Sequence, residues 1–285
     1  MCIKQDQHEW PKKEINSEKD VEELIELYEE KKWVFRGQND YDTLLAPIDR
    51  PPLNNLNRTQ KLQYEDESIR RFINSVKFTS DDIEKELLSF DPKHILLYSE
   101  RRISILMLLQ HFNCPTRLLD WSSDPMVALY FAVSQNYGKN ENRNGEIWSF
   151  DVNAYNSPFG PSQWPKNQEV YDKNKKFDNR IPSIFNTNEP KGDWFVMQAL
   201  DKRFHRLEHQ SGYFSVCSKF GKDHASAIME LFKNKKYYQK FIIPKECKPL
   251  FRDYLKDKGI WHGSLFPDAA GVAHAFRKDI FGLDD

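Results

Sequence analysis

Apolar residues repeat with helical spacing in some stretches of the chain and gather into short β-favouring runs in others. Ser17 and Asp20 form an approximate capping box, and Val21, Leu24, Ile25 and Tyr28 share one face after it, which predicts an amphipathic helix from Glu18 to about Lys31. Trp33-Val34-Phe35 then reads as a strand that stops at Gly37, with Arg36 at its end. After a proline-punctuated loop, Leu62, Ile69, Phe72, Ile73 and Val76 predict a second helix. The apolar stretch Leu87–Phe112, interrupted by Pro92, predicts one or two buried helices that end at Asn113-Cys114-Pro115. Thr116–Trp121 is expected to be a short strand or turn. Asp124-Pro125 should open a core helix carrying Met126, Ala128, Leu129, Phe131 and Ala132, with proline at the favoured first position.

The second half alternates differently. Tyr137–Asn144 is polar and predicts a loop before a strand at Glu146–Val152, and the Pro-, Asn- and Lys-rich stretch 153–191 predicts a long irregular insertion. Strands are expected at Tyr213–Cys217 and Lys240–Ile243, separated by a helix near His224–Lys233. Lys248–Lys258 predicts a helix closed by Gly259, and Pro267–Phe276 another that starts at its proline. No repeat of fixed period occurs. The pattern therefore predicts an α+β protein: an N-terminal helical segment over 1–32, then a single mixed domain over 33–285 with a central, largely antiparallel sheet and flanking helices.

Composition narrows the function classes. The chain is 39% hydrophobic, 30% charged and 14% aromatic, as expected of a globular protein with an aromatic-rich core. A net charge of −1 supplies no global field to collect DNA or anionic lipid. The apolar runs Ile103–Leu109 and Met126–Val133 fall far short of the ~18 residues that a bilayer span needs, and Met1–Trp10 has no apolar signal core. The four cysteines, Cys2, Cys114, Cys217 and Cys247, are widely spaced and make neither a disulfide framework nor a metal set. No membrane association and a reducing cytoplasm are the expectation. Cys114 and Cys217 read as small buried side chains.

Three segments do not look like routine core: Phe35-Arg36-Gly37-Gln38, then Gln110-His111 ahead of Thr116-Arg117-Leu118-Leu119-Asp120-Trp121-Ser122, and Ser264-Leu265-Phe266-Pro267-Asp268. Together they resemble the FRG domain family, named for its Phe-Arg-Gly signature, from about Val34 to Ala273. The most specific part is Gln110 through Ala132. A more distant resemblance supplies a mechanism. Phe35-Arg36-Gly37 and Trp121-Ser122-Ser123-Asp124-Pro125 are similar to the strands that hold NAD in arginine-serine-glutamate ADP-ribosyltransferases. That resemblance implies a transferase-like fold and a cleft that takes NAD as substrate, built from Arg36, Gln38, Thr116, Arg117, Asp120, Ser122 and Ser123. It implies that Arg36 binds phosphate or ribose, Ser122 steadies the nicotinamide-side ribose, and a later acid stabilises the oxocarbenium-like transition state. The match to that acid is Arg206-Leu207-Glu208-His209-Gln210, where Gln210 stands in place of the usual glutamate and Glu208 sits two residues before it. Glutamine can hold ribose but carries no charge, so the carboxylate has to come from Glu208 or Asp120.

Two function classes follow from these resemblances. One is an intracellular transferase or glycohydrolase acting on NAD or another nucleotide, with a protein or nucleic-acid acceptor, in the manner of a bacterial phage-defence or toxin effector. The other is a non-catalytic FRG binding module for a nucleotide, nucleic acid or protein segment. Each residue also has a plain structural reading. Arg36 braces a loop by pairing with Asp120 or Asp124; Asp120 caps the following helix or holds Arg117; His111 is a hydrogen-bonded core residue rather than a general base. Lys233-Asn234-Lys235-Lys236-Tyr237-Tyr238 either meets single-stranded nucleic acid or is the solvated end of a helix.

Overall fold

The structure, a computed structural model, describes residues 9–29, 33–39, 43–76, 99–111, 113–134, 142–152, 154, 181–192, 195–199, 212–232 and 234–266. Seven strands among these form one sheet: β1 (Lys12–Glu14), β2 (Trp33–Gln38), β3 (Leu119–Ser122), β4 (Gly145–Asp151), β5 (Phe195–Ala199), β6 (Gly212–Cys217) and β7 (Tyr238–Ile243). Their order across the sheet is β1-β7-β4-β2-β3-β6-β5. The β1–β7 pair is parallel and every other pair antiparallel. The helices are α1 (Glu18–Glu29), α2 (Arg58–Val76), α3 (Ser99–His111), α4 (Pro125–Val133), α5 (His224–Leu231), α6 (Lys248–Asp257) and the short α7 (His262–Leu265). The mixed architecture with a mostly antiparallel sheet is the one that the hydrophobic pattern predicts.

Strand alternation sorts the core onto two faces. Val34, Leu119, Trp121, Trp148, Phe150 and Phe195 pack on one face with Ala225 and Ile228 of α5. The opposite face carries two separate groups of helices. Phe35, Ile147 and Phe241 meet α1, α4 and α6, whereas Leu118, Phe214 and Val216 meet α2, α3 and the 3-10 turn Ile181–Phe185. The boundary between those groups falls where β2 meets β3. There the ladder is the single pair Phe35↔Ser122, against six pairs between β2 and β4 and four between β3 and β6. Beyond that pair the backbones part, which leaves a gap in the sheet that side chains have to fill.

Local sequence explains the elements on both sides of this gap. Asp20 Oδ2 accepts from Ser17 N–H at 2.9 Å and Asp20 N–H reaches Ser17 Oγ at 3.4 Å, so the reciprocal cap expected at α1 is present with aspartate in the glutamate position. Asp124 Oδ1 accepts from Met126 N–H at 2.8 Å and Pro125 fills the first turn, which starts α4 where predicted. α4 is apolar all round, because it lies between the sheet and neighbouring helices. A Cβ on Gly37 would lie 1.7 Å from the Ala128 carbonyl oxygen, so glycine there is what lets α4 lie against β2. At the end of α6, Gly259 has φ +75° and donates to Lys256 O at 3.0 Å, and Ile260 N–H donates to Leu255 O at 2.8 Å, a Schellman ending.

Some boundaries differ from the expectation. β2 runs to Gln38, so Arg36 lies inside the strand rather than at its end. β1 and β5 are additional strands. The start of the apolar stretch Leu87–Phe112, most of the insertion near 153–191 and the helix expected from Pro267 lie outside the described residues. The described end of the insertion, Ile181–Phe185, puts Ile184 fully into the core.

Candidate functional site

The gap between β2 and β3 is filled by Arg36. Its Nη1 donates to the Asp120 backbone carbonyl at 2.9 Å, in the position where a continued ladder would put a strand N–H. The same Nη1 stands 3.7 Å from Asp120 Oδ2, so the proximity expected of these two charges is present. Depth differs within the pair: the Arg36 side chain is 15% exposed and that of Asp120 49%. Gln110, from the end of α3, donates through Nε2 to Asp120 Oδ2 at 3.0 Å. Thr116 Oγ1 donates in turn to Gln110 Oε1 at 2.7 Å and accepts from Leu118 N–H at 3.1 Å. Thr116 is itself buried, so it reaches the corner only through Gln110. The sequence singled out the Gln110-His111 segment but gave Gln110 no role. Its spacing of ten residues from Asp120 is a loop connection with no periodic signal.

The other expected site residues are distributed differently. Ser122 is opposite Phe35 and therefore shares its face, while Arg36, opposite Trp148, points to the other face. Ser122 Oγ accepts from Asp124 N–H at 3.0 Å and shapes the turn into α4. Ser123 is exposed in that turn. Gln38 is buried and donates to Thr43 O at 3.4 Å. Arg117 is not at the corner. Its guanidinium is buried against the Glu65 carboxylate, donates to Ile184 O at 2.8 Å, and stacks between Phe220 at 4.2 Å and Phe185 at 5.1 Å. Helix capping falls to Asp124 and the holding of Arg117 to Glu65, so neither structural role expected of Asp120 is the one it has. Glu208 and Gln210 lie outside the described residues, as does the side chain of His111.

Behind the corner, on the face of Arg36, His224 is buried, with Nδ1 2.8 Å from Ser215 Oγ, which also accepts from Trp121 Nε1 at 2.8 Å. Burial, reinforced by the nearby Arg36 and Arg50 cations, pushes the His224 pKa down to about 3, so the ring is neutral at physiological pH. On the same face the buried Lys240 ammonium pairs with Glu146 at 2.5 Å and lies 4.1 Å over the Trp148 ring. Burial raises the Cys217 thiol well above its ordinary value, the behaviour of an inert core cysteine. Lys235–Tyr237 is a 3-10 turn capped by Asn234 that feeds the buried Tyr238 into β7, rather than a helix end. Among the described residues no group of three or more His, Cys, Asp or Glu side chains is arranged to hold a metal, and no helix is long and apolar enough to cross a membrane.

No curated protein and no solved structure matches the chain significantly. A family model does match, over residues 31–141, and that span takes in β2 with Arg36, α3 with Gln110, β3 with Asp120, and α4. The matching model is that of the FRG domain, and both arms of the Arg36–Asp120 corner fall inside the stretch that is similar to it.

Proposed function

We propose that this protein acts on NAD or a related nucleotide at the Arg36–Asp120 corner. The observation that carries the reading is a half-exposed carboxylate held through one oxygen beside an arginine. Arg36 offers its guanidinium to a phosphate or ribose, and Asp120 offers its remaining oxygen to the sugar. In glycosidic chemistry the carbon–nitrogen bond to nicotinamide breaks with its electron pair leaving on the base. A fixed carboxylate lowers that barrier by stabilising positive charge on the ribose. Water or an acceptor nucleophile then adds at the anomeric carbon and gives up its proton. Glu208 is the alternative acid in this scheme, and Gln210 a holder of ribose.

Nicotinamide release is the direct assay. With Asp120 as the acid, Asp120→Asn lowers the rate about 100-fold or more while NAD still binds, and Glu208→Gln has little effect. The reverse order assigns the acid to Glu208. Release that ignores both substitutions sinks the mechanism, and no release from the parent favours the second reading, a binding module without turnover. That second reading is supported by Ser122, whose hydroxyl accepts from Asp124 N–H in the turn into α4.

A further inference from the structure

Gln110 is unusually well specified for a side chain at the end of a helix. Leu118 N–H donates to Thr116 Oγ1 at 3.1 Å, so the hydroxyl's own proton goes to Gln110 Oε1 at 2.7 Å. The amide oxygen therefore faces Thr116 and the amide nitrogen faces Asp120, which fixes an orientation that an isolated glutamine leaves open. Among the described residues the side-chain contacts of the Asp120 carboxylate, from Gln110 at 3.0 Å and from Arg36 at 3.7 Å, fall on Oδ2. Oδ1 has no protein partner among the described residues, on a side chain that is half exposed.

An ionised carboxylate only accepts hydrogen bonds, so the group that meets Oδ1 is a donor or a developing cation. Beside it Arg36 suits an anion. A ribose bearing a phosphate supplies both.

We propose that Gln110, locked by Thr116, is the positioning residue of the site: it holds Asp120 by Oδ2 so that Oδ1 is presented to the ribose of the ligand. What meets Oδ1 rests on the nucleotide reading above. The coupling of Gln110 to Asp120 stands without it.

Two substitutions separate this role from packing. Gln110→Met keeps the bulk and removes both hydrogen bonds. Gln110→Glu keeps the shape and the acceptor for Thr116 but sets a carboxylate against Asp120. A residue that only fills space shows the same order of the two variants whether position 120 is aspartate or asparagine, because glutamate is then penalised for its own desolvation alone. The urea midpoint and the NAD dissociation constant are measured on the full chain for both variants, in the parent and in the Asp120→Asn background. In the parent, Gln110→Glu is expected to have the lower midpoint and to bind NAD about tenfold or more weakly than Gln110→Met, the range of one hydrogen bond to a charged group. With Asp120→Asn the order of the midpoints reverses, because the new amide can donate to glutamate. Gln110→Glu at least as stable as Gln110→Met in the parent overturns the coupling. NAD binding that does not follow the midpoints overturns the positioning role. Midpoints in the expected order with a parent that takes no NAD overturn the ribose assignment and leave the coupling intact.

Discussion

Arg117 and Arg36 each meet a carboxylate, and Arg117 lies three residues before Asp120, the partner of Arg36, in the most motif-like part of the chain. Arg117 and Glu65 are 5% and 0% exposed, and the guanidinium is further engaged by a backbone carbonyl and two phenyl rings. Arg36 and Asp120 sit at a break in the sheet, with the carboxylate half exposed and its Oδ1 without a partner among the described residues. A saturated pair has nothing left to offer a ligand and serves to pin α2 to the segment that leads into β3. A pair with an open acceptor can serve as a site. Residue type alone does not distinguish them; depth and the number of partners do.

Breaking each pair should give opposite signatures. Arg117→Leu strands a buried Glu65 and is expected to cost about 3–5 kcal/mol in urea denaturation, with much of the loss recovered when Glu65→Leu is added. Little or no loss would mean that Arg117 is less committed than its contacts indicate. Gly37→Ala tests the frame that supports the corner. Its Cβ meets the α4 backbone, so a loss of about 3 kcal/mol is expected, and a neutral result would show that α4 can move away from β2.

The elements were largely legible, because each strong one carries its own signal: the Ser17/Asp20 cap for α1, Asp124-Pro125 for α4, Gly259 for α6. β1 was not, since Lys12-Lys13-Glu14 has no strand character and is strand only through backbone pairing with β7. β5 alternates Phe195 and Met197 into the core, but a five-residue run directly after a long polar stretch is too short to stand out by its period. At the site, charge within signature segments correctly brought Arg36 to Asp120. The partner of Arg117 was hidden because Glu65 lies 52 residues away on an ordinary amphipathic helix. Ser122 and Arg36 were grouped by motif order, while the strand register that sets them on opposite faces depends on pairing partners that a sequence does not name.

His224, buried against Ser215, ties stability to pH. The folded protein leaves the ring neutral down to about pH 3, whereas the unfolded chain protonates it below its ordinary 6.5. The unfolded state thus binds more protons across this window, and stability falls as pH falls. Between pH 6.5 and 5 the slope from this one group approaches about 1.4 kcal/mol per pH unit, and His224→Asn should flatten it. An unchanged slope in that variant would assign the acid sensitivity elsewhere. The smallest effect on stability belongs to the exposed partner of the corner. Asp120→Asn should stay within about 1 kcal/mol of the parent in the same denaturation assay, and a loss as large as that of Arg117→Leu would erase the distinction between the two pairs.

The thermal midpoint in the presence of NAD tests the central claim, that the open pair is a ligand site and the closed pair a support. A ligand that binds only the folded state stabilises it by about 2.7 kcal/mol at 100 times its dissociation constant. Millimolar NAD is expected to raise the midpoint of the parent and to leave that of Arg36→Ala where it was. No rise in the parent, or an equal rise in Arg36→Ala, would contradict the assignment of the Arg36–Asp120 corner as the NAD site.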